Sequence, residues 1–438
     1  MELQVYFQKN RPHRVVAAGA NFLSRMPMNS ARHSSFIFPV IASADQIAAR
    51  PTIIAIPACN EEDRISECLA ALSLQRDGRG RRIPPDAYRV VLYANNCHDS
   101  TVAKACEARD AAALRIKVLE AEASAQRSAA GLARKTAMDI AASQLEAEGL
   151  ADGVILTTDA DSVVHPTWLA NSWRAFAQGA DCVAGYVDAA PGEFVGLGRD
   201  FQRRGFLEEY YHAVVAEMFA LLDPRPHDPW PNHQVSSGAS LGITLQMYRA
   251  IGGLPPRAAG EDAALTLAVE SAGGRVRHAM DVCVSTSCRL DGRAAGGAAD
   301  AMKLRHAVID TFCDDELESA FTVTRKAWLK GHLRKASDIG FMQKSAILRG
   351  LDLSAGEMTS LLGTLRHTCF EVFWQELCRT NAALRYCNPL RPSMLPAEIA
   401  RGEKLLRFLR AQPDPLEAVD FVMEDGVAFE ARLHSLYE

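Results

Sequence analysis

Residues 52–63, TIIAIPACNEED, decide the fold class of this chain. Residues 53–56 are a continuous apolar run, which is typical of a strand buried on both faces of a parallel sheet. Pro57 ends the run, and Asn60 with the acidic residues after it is typical of a helix N-terminus. Apolar residues then recur at helical spacing over residues 65–72. The stretch therefore predicts a strand, a short loop and a helix.

The same alternation continues further along the chain. Residues 90–93 and 154–156 are further apolar runs, and residues 114–119 are another predicted strand. Helical sequence follows residues 90–93 and residues 114–119. Strands that alternate with helices favour a largely parallel sheet covered by helices. We expect three parts: a basic, extended or disordered segment at 1–48, an α/β domain at 49–300 and a helical region at 301–438.

The composition argues against several classes of protein. The chain has 53 acidic and 48 basic residues, a net charge of −5, whereas a nucleic-acid-binding protein normally carries a basic surplus. Its 11 cysteines follow no spacing typical of zinc sites or disulfide frameworks, so we expect reduced thiols in a cytoplasmic protein. No stretch approaches the roughly 18 apolar residues of a membrane-spanning helix. We therefore expect no nucleic-acid partner and no transmembrane segment.

Two aspartates, Asp159 and Asp161, follow the apolar run at residues 154–156. Side chains two residues apart on an extended backbone point the same way, so both can face one ligand. They come after the carboxyl end of a predicted parallel strand, where ligands bind in open α/β sheets. A divalent cation would relieve their mutual repulsion and share its coordination with substrate phosphates. From the residues alone, a role in capping the next helix is an equally good interpretation.

Four stretches together resemble the family-2 glycosyltransferases with a GT-A fold. They occur in the family's order and read IAIPACNEEDRISECLAAL (54–72), YANNCHDSTVAKA (93–105), TTDADSVVHPTWL (157–169) and GGLPPRAAGEDAALTLAVESAGGRV (252–276). The segment LLDPRPHDPWPNHQVSSGAS (221–240) resembles a bacterial subgroup of the family. The resemblance implies a Rossmann-like α/β fold: a mixed, mostly parallel sheet flanked by helices, with a C-terminal helical region. It also implies a nucleotide-diphosphate sugar as donor, with a UDP-sugar favoured, and Mg²⁺ or Mn²⁺ as cofactor.

The resemblance also assigns roles to particular residues. Asp159 and Asp161 would hold the cation, and Asp262 would act as the general base beside Glu261. The alternative for this acidic pair is that it balances the dipole at a helix N-terminus. The residues that would contact the donor are Pro57, Ala58, Asn60, Glu61, Asn95 and Asp159. Asn95 would read the edge of the base, although an Asn at this place is also typical of a turn.

Two arginines in a glycine-rich stretch, Arg289 and Arg293, could bind the donor diphosphate, and ordinary surface arginines are an equally good interpretation. Arg134 and Lys135 form a second cationic pair on the alanine-rich helix, for which we favour a solvated helix face. Many relatives have a metal-binding histidine after the acidic motif. This chain has none there, and we expect the earlier His278 to be structural.

An acceptor site is predicted in the proline-rich segment. Trp230 could stack on the apolar face of a sugar, with His233 beside it. The alternative is that a tryptophan among prolines only packs against its neighbours. The helical region could cover the acceptor side or support a homo-oligomer.

These features predict a metal-assisted enzyme that moves a sugar from a nucleotide-diphosphate donor to a hydroxyl group of an unidentified acceptor, with inversion favoured over retention. Two other classes remain open at this point. A nucleotidyltransferase also uses metal-bound carboxylates on an α/β sheet, but it releases pyrophosphate. A catalytically silent scaffold would bind a nucleotide sugar without turnover, or would not bind one.

Overall fold

A computed structural model describes residues 49–112, 114–122, 129–292, 297–335, 351, 353–367, 369–381, 384–385 and 389–418. The segment predicted at 1–48 and the predicted donor ligand Arg293 lie outside these residues. The same holds for residues 123–128, where the sequence predicts the start of the alanine-rich helix.

The described residues form a mixed sheet of eight strands. In chain order these are β1 (Thr52–Ala58), β2 (Arg89–Asn95), β3 (Ile116–Ala121), β4 (Val154–Thr157), β5 (Ser162–Val164), β6 (Cys182–Ala189), β7 (Leu241–Thr244) and β8 (Val276–Thr286). Across the sheet the order is β3-β2-β1-β4-β7-β6-β8-β5. Four of the seven neighbouring pairs are parallel, which confirms the mixed, mostly parallel sheet.

Helices separate most of the strands and continue beyond them. Up to β8 they are α1 (Ile65–Ser73), α2 (Thr101–Ala112), α3 (Ala130–Ala147), α4 (Trp168–Ala177), α5 (Pro191–Gly196), α6 (Arg199–Leu222), α7 (Leu245–Ala250) and α8 (Glu261–Ser271). After β8 they are α9 (Ala298–Ala307), α10 (Ala320–Lys335), α11 (Ala355–His367), α12 (Phe370–Thr380) and α13 (Leu395–Arg410). None of the helices in the described ranges has both the length and the apolar character that a bilayer crossing demands.

The first strand is buried on both faces, as its apolar run predicts. Ile54 and Ile56 point into one core together with α1 and α4, whereas Ile53 and Ala55 point into a second core together with α3. This alternation follows from the two-residue period of a strand. The sheet therefore lies between two helical layers.

The helical C-terminal region is confirmed for the residues that the structure describes. Its core joins α10, α12 and α13 to the second half of α6. Gly331 allows α10 to approach the end of α6, because a Cβ at this position would overlap the carbonyl oxygen of Leu222. The boundary near residue 300 between the α/β and helical parts remains a prediction, since α6 contributes to this second core.

The predicted cap of the first helix is wrong. Helix α1 begins at Ile65, and the residue before it makes no side-chain capping bond. Asn60 instead adopts a left-handed backbone, with φ of 55°. Its side-chain oxygen accepts a hydrogen bond of 2.8 Å from the backbone N–H of His98. The side chain therefore ties the loop after β1 to the loop after β2, because the left-handed turn directs it away from the helix.

Candidate active site

The carboxyl ends of three neighbouring strands bring predicted donor and metal residues to one edge of the sheet. β1 ends with Pro57 and Ala58, β2 ends at Asn95, and Asp159 follows two residues after β4. Since β1 lies between β2 and β4 and is parallel to both, these ends face the same way. Open α/β sheets bind their ligands at this edge.

The loops after β1 and β2 are joined by polar contacts. The backbone N–H of Glu61 donates to the hydroxyl of Thr101 over 2.7 Å, and that of Glu62 donates to the carboxylate of Asp99 over 3.1 Å. Asp99 in turn accepts a bond of 3.0 Å from the Thr101 N–H. Asn95 is buried, with 1% of its surface exposed. The predicted base and ribose residues therefore belong to a cross-linked pair of loops.

A buried arginine connects the two acidic motifs. The guanidinium of Arg134, on α3, lies 2.7 Å from Asp159 Oδ1 and 3.0 Å from Glu261 Oε1. It also donates to the hydroxyl of Thr157 over 3.0 Å and to the carbonyl oxygen of Gly238 over 2.7 Å. Burial alone would lower the pKa of Arg134, but the charges of Asp159 and Glu261 raise it above its ordinary value. This cation is thus fixed between groups that are far apart in the sequence.

The burial of Arg134 shows that the solvated helix face expected for it is wrong, since only 4% of this residue is exposed. Its neighbour Lys135 is half-buried and pairs with Asp139 on the same helix over 3.0 Å. The signal for the burial of Arg134 is its position on α3, beside Ala133 and three residues before Ala137. Both alanines are buried, so the arginine lies on the face that packs on the sheet.

Two glycines make room for the arginine and its partner. A Cβ at Gly238 would overlap the guanidinium of Arg134. A Cβ at Gly131 would lie 2.7 Å from Oε2 of Glu261, too close for a non-bonded contact. These two positions need glycine because the side chains of Arg134 and Glu261 approach them too closely for a Cβ.

A second arginine, Arg289, connects the loop after β1 with Asp161. It forms a forked ion pair with Glu61, in which Nη1 lies 2.6 Å from Oε2 and Nη2 bonds to Oε1. Nη2 also lies 3.1 Å from Asp161 Oδ2. Arg289 therefore lies among predicted donor and metal residues, and the interpretation of it as an ordinary surface arginine does not hold.

Asp161 is held close to the sheet. The residues after it, β5, pair with β8, and the next helix begins only at Trp168, so the two aspartates do not cap that helix. Burial and the negative charge of Asp159 raise the pKa of Asp161 to about 6, against an opposing effect of Arg289. The raised pKa thus reflects first the burial of the carboxyl group and then the charge of Asp159.

Glu261 and Asp262 occupy different environments at the start of α8. Glu261 is 6% exposed and binds Arg134, whereas Asp262 is half-buried. The carboxylate of Asp262 accepts hydrogen bonds from the backbone N–H of Gly238 over 3.1 Å and of Ala263 over 2.8 Å. Gly238 thus accepts from Arg134 through its oxygen and donates to Asp262 through its nitrogen. Of the two acids, Asp262 is the one that a substrate can reach.

The predicted acceptor residues differ in exposure. Trp230 has 38% of its surface exposed, and His233 is 9% exposed, with its ring edge against those of Tyr186 and His278. Burial lowers the pKa of His233 to about 3, so its ring is neutral at physiological pH. His278 bonds to the fully buried carboxylate of Asp228 over 3.0 Å, which agrees with a structural role.

The chemistry of the site suits a hard divalent cation. Asp159 and Asp161 offer carboxylate oxygens, and two arginines share four carboxylates, those of Glu61, Asp159, Asp161 and Glu261. In the described ranges, this site included, no group of three or more His, Cys, Asp or Glu side chains is arranged to hold a metal ion, so substrate oxygens would have to complete the coordination. Mg²⁺ accepts such a small set of carboxylates when substrate oxygens complete its coordination.

The family model for glycosyl transferase family 2 matches residues 53–221. The chain contains a family 2 glycosyltransferase domain. This result confirms the resemblance, the GT-A type of fold and the assignment as a glycosyltransferase enzyme. The matched range of the family 2 domain includes Asp159, Asp161 and Arg134, and it ends before Trp230 and Asp262.

Several solved structures match the chain at low sequence identity and with TM-scores below 0.5. TarS residues 1–349 of S. aureus, in complex with UDP-GlcNAc, is 16% identical with a TM-score of 0.40, over 84% of this chain and 88% of that one. The mannosyltransferase PcManGT from Pyrobaculum calidifontis, in complex with GDP-Man and Mn²⁺, is 16% identical with a TM-score of 0.39, over 76% and 86%. Glucosyl-3-phosphoglycerate synthase from Mycobacterium tuberculosis is 15% identical with a TM-score of 0.34, over 61% and 80%. No match is found among the curated proteins.

Proposed function

We propose that the protein transfers a sugar from a nucleoside-diphosphate donor to a hydroxyl group of an acceptor. The observation that carries this proposal is the pair of arginines that joins the Asp159–Asp161 segment to the predicted base and donor residues. Arg134 links Asp159 to Glu261, and Arg289 links Asp161 to Glu61. Four carboxylates share two guanidinium groups, so the site has room for further positive charge at the place where a diphosphate would bind.

In the proposed reaction, the anomeric carbon forms a bond to the acceptor oxygen and loses its bond to the donor diphosphate. Asp262 takes the proton of the acceptor hydroxyl, and the electron pair of the broken bond leaves with the nucleoside diphosphate. The two backbone N–H groups that bond to Asp262 keep its carboxylate oriented before the acceptor arrives. Attack from the face opposite the diphosphate gives inversion, which we favour.

Asp159 and Asp161 would hold Mg²⁺ or Mn²⁺, which would supply positive charge to the departing diphosphate. Arg289 would bind the same diphosphate, because the planar fork that it presents to two oxygens of Glu61 also suits a pair of phosphate oxygens. Arg293 would assist it. Pro57, Ala58, Asn60 and Asn95 would surround the base and ribose, and we propose a UDP-sugar as the donor.

A panel of nucleotide sugars tests this proposal. We expect the melting temperature of the protein to rise with at least one UDP-sugar, more strongly when Mn²⁺ is present, because ligands that bind only the folded state stabilise it. Incubation with that donor should release nucleoside diphosphate. The Asp161→Asn variant should lose the additional shift caused by Mn²⁺.

Other outcomes would contradict the proposal. Release of pyrophosphate from a nucleoside triphosphate would indicate a nucleotidyltransferase. A donor that binds but is never consumed with any acceptor, and an Asp262→Asn variant that behaves like the wild type in the cell, would indicate a silent scaffold.

A further inference from the structure

A cleft of about 400 Å³ lies beside the proline-rich segment, between α6, that segment and α10. This volume falls within the range of small-molecule sites. The residues that matter for its chemistry are Phe219, Arg225, Trp230, Asn232, Gln234 and Lys330. Both the α/β part and the helical C-terminal region thus contribute to its wall.

One wall of the cleft is held rigidly by the carboxylate of Asp228, whose side chain is fully buried. It bonds to Arg225 over 2.7 Å, to Arg277 over 3.0 Å and to His278 over 3.0 Å. Burial opposes the shift, but the hydrogen bonds from His278 and the charge of Arg225 hold the pKa of Asp228 well below its ordinary value. The proline-rich segment is therefore fixed to β8.

Helix α8 connects this cleft to the proposed catalytic base. Arg225 of the cleft bonds to Glu270 over 3.0 Å, and the hydroxyl of Ser236 donates to that of Thr266 over 3.0 Å. Gly238 bonds to Asp262 at the start of the helix. Residues 262, 266 and 270 are four apart and so lie on one side of α8. Eight residues of helix span about 12 Å, so Asp262 and Glu270, the partner of Arg225, lie about that far apart along α8.

The charges of the cleft are already paired. Arg225 binds Asp228 and Glu270, and Lys330 lies 3.0 Å from Glu371. A charged ligand would have to break these pairs, so the cleft favours a neutral one. This separates it from the diphosphate site, where carboxylates outnumber arginines.

The remaining groups suit a carbohydrate. Trp230 exposes 38% of its surface, and an indole face packs well on the apolar face of a sugar ring. Asn232 and Gln234 carry amides, which donate and accept hydrogen bonds as hydroxyl groups require. Asn232 is 4% exposed, and its side-chain oxygen has no hydrogen-bond partner in the described part of the chain.

We propose that this cleft, whose Arg225 bonds to α8 about 12 Å along the helix from Asp262, binds a sugar unit of the acceptor, so that the acceptor is an oligosaccharide or a longer glycan. The inference rests on the proposed function, because it takes Asp262 to be the point of sugar transfer. The unit in the cleft is not the one that reacts. It positions a more distant hydroxyl group at the base.

Calorimetric titration with neutral oligosaccharides of two to six units from the cello-, malto-, manno-, xylo- and chito- series tests the proposal. We expect at least one series to bind, with affinity that increases with chain length. Trp230→Ala should weaken this binding roughly tenfold, whereas Trp230→Phe, which keeps an aromatic face, should retain most of it. Phe312→Ala removes another half-exposed aromatic ring outside the cleft and should leave the binding unchanged.

Donor binding separates the two proposals. If a UDP-sugar stabilises the protein but no oligosaccharide binds, or if Trp230→Ala binds oligosaccharides like the wild type, the cleft is not a sugar site and only this inference fails. If no nucleotide sugar binds at all, the proposed function fails. If Trp230→Ala also loses the donor-induced shift in melting temperature, the Gln234→Ala variant replaces it in the test. We expect Gln234→Ala to weaken oligosaccharide binding by the same factor of roughly ten.

Discussion

The guanidinium of Arg134 lies 2.7 Å from the carboxylate of Asp159, and the same buried group binds Glu261 over 3.0 Å. It also donates to the carbonyl oxygen of Gly238, the residue whose backbone N–H bonds to Asp262. The Asp159–Asp161 segment, Glu261 and the backbone beside Asp262 therefore all depend on the guanidinium of Arg134. Its loss should affect both stability and activity.

Replacing Arg134 with methionine should leave Glu261 buried and uncompensated. Breaking a buried ion pair by removing one partner costs about 3–5 kcal/mol of unfolding free energy, and we expect this range in urea denaturation. Lys135→Met is the matched control, since its pair with Asp139 is partly exposed and should be worth about 1 kcal/mol or less. Equal stabilities of the two variants would contradict the role given to Arg134.

Gly238→Ala should displace the guanidinium, because the new Cβ would occupy its place. We expect a loss of donor turnover of roughly tenfold or more, since a misplacement of about 1 Å near the chemistry can cost 10²-fold. Gly196→Ala, at a glycine whose Cβ would meet no atom within 4 Å, serves as the control. Unchanged turnover in Gly238→Ala would show that the site tolerates movement of Arg134.

Asp262→Asn should mainly affect turnover, whereas Glu261→Gln should mainly affect stability. We expect Asp262→Asn to lower kcat by about 10²–10⁴-fold while donor binding persists, as for the loss of a general base. Glu261→Gln should instead lower the unfolding free energy, because it removes a buried partner of Arg134. Steady-state kinetics and urea denaturation of both variants give the answer. A stable but inactive Glu261→Gln together with an active Asp262→Asn would exchange the two roles.

A lysine at position 289 should not restore the UDP binding that we assign to Arg289. Lysine keeps the charge but lacks the planar fork that Arg289 presents to Glu61. We expect the melting-temperature shift with UDP to fall in both Arg289→Lys and Arg289→Gln. Arg305→Lys is the control, because Arg305 pairs with Asp314. A UDP shift in Arg289→Lys equal to that of the wild type would show that charge alone is sufficient.

Glu371 should make stability depend on pH. Burial alone would raise its pKa, but Lys330 and Arg334 outweigh burial and lower it from 4.5 to about 2. A carboxyl group with a lowered pKa contributes stability that is fully present above its unfolded-state pKa and is lost as pH falls toward the folded-state value. The urea midpoint of the wild type should therefore drop between pH 4.5 and pH 2.

The Glu371→Gln variant should be less stable than the wild type at pH 7 and should lose much of that drop. Glu376→Gln on the same helix is the control, because its pair with Arg379 is exposed to solvent. Parallel pH profiles of the wild type and Glu371→Gln would contradict the assignment.

Much of the sheet could be predicted because its signals are local. The apolar run of β1 and the run before Asp159 each needed only a few consecutive residues to be recognised, and strand burial follows from them. Element ends were less certain: β3 begins at Ile116, two residues after the predicted start. The Asn60 cap failed because a left-handed turn after β1 redirected a side chain that has typical capping chemistry.

The site was predictable only in part. Asp159 and Asp161 could be found because they are neighbours on one extended segment. Arg134 could not be placed, because its partner Glu261 is 127 positions away and the pairing depends on how α3 and α8 pack against the sheet. A cation on an alanine-rich helix is usually solvated, and only its position on the buried face indicated otherwise.

The sequence by itself determined strands β1 to β4, the helices that follow the first three of them and the resemblance to the family, since each depends on residues close together in the chain. Only the tertiary structure decided which charges meet. An ion pair forms where folding brings two groups within a few ångströms, and that distance is set by packing of whole elements. Arg289 therefore reached Glu61 and Asp161, Arg134 reached Glu261, and the cleft at Trp230 formed against helices from the far end of the chain.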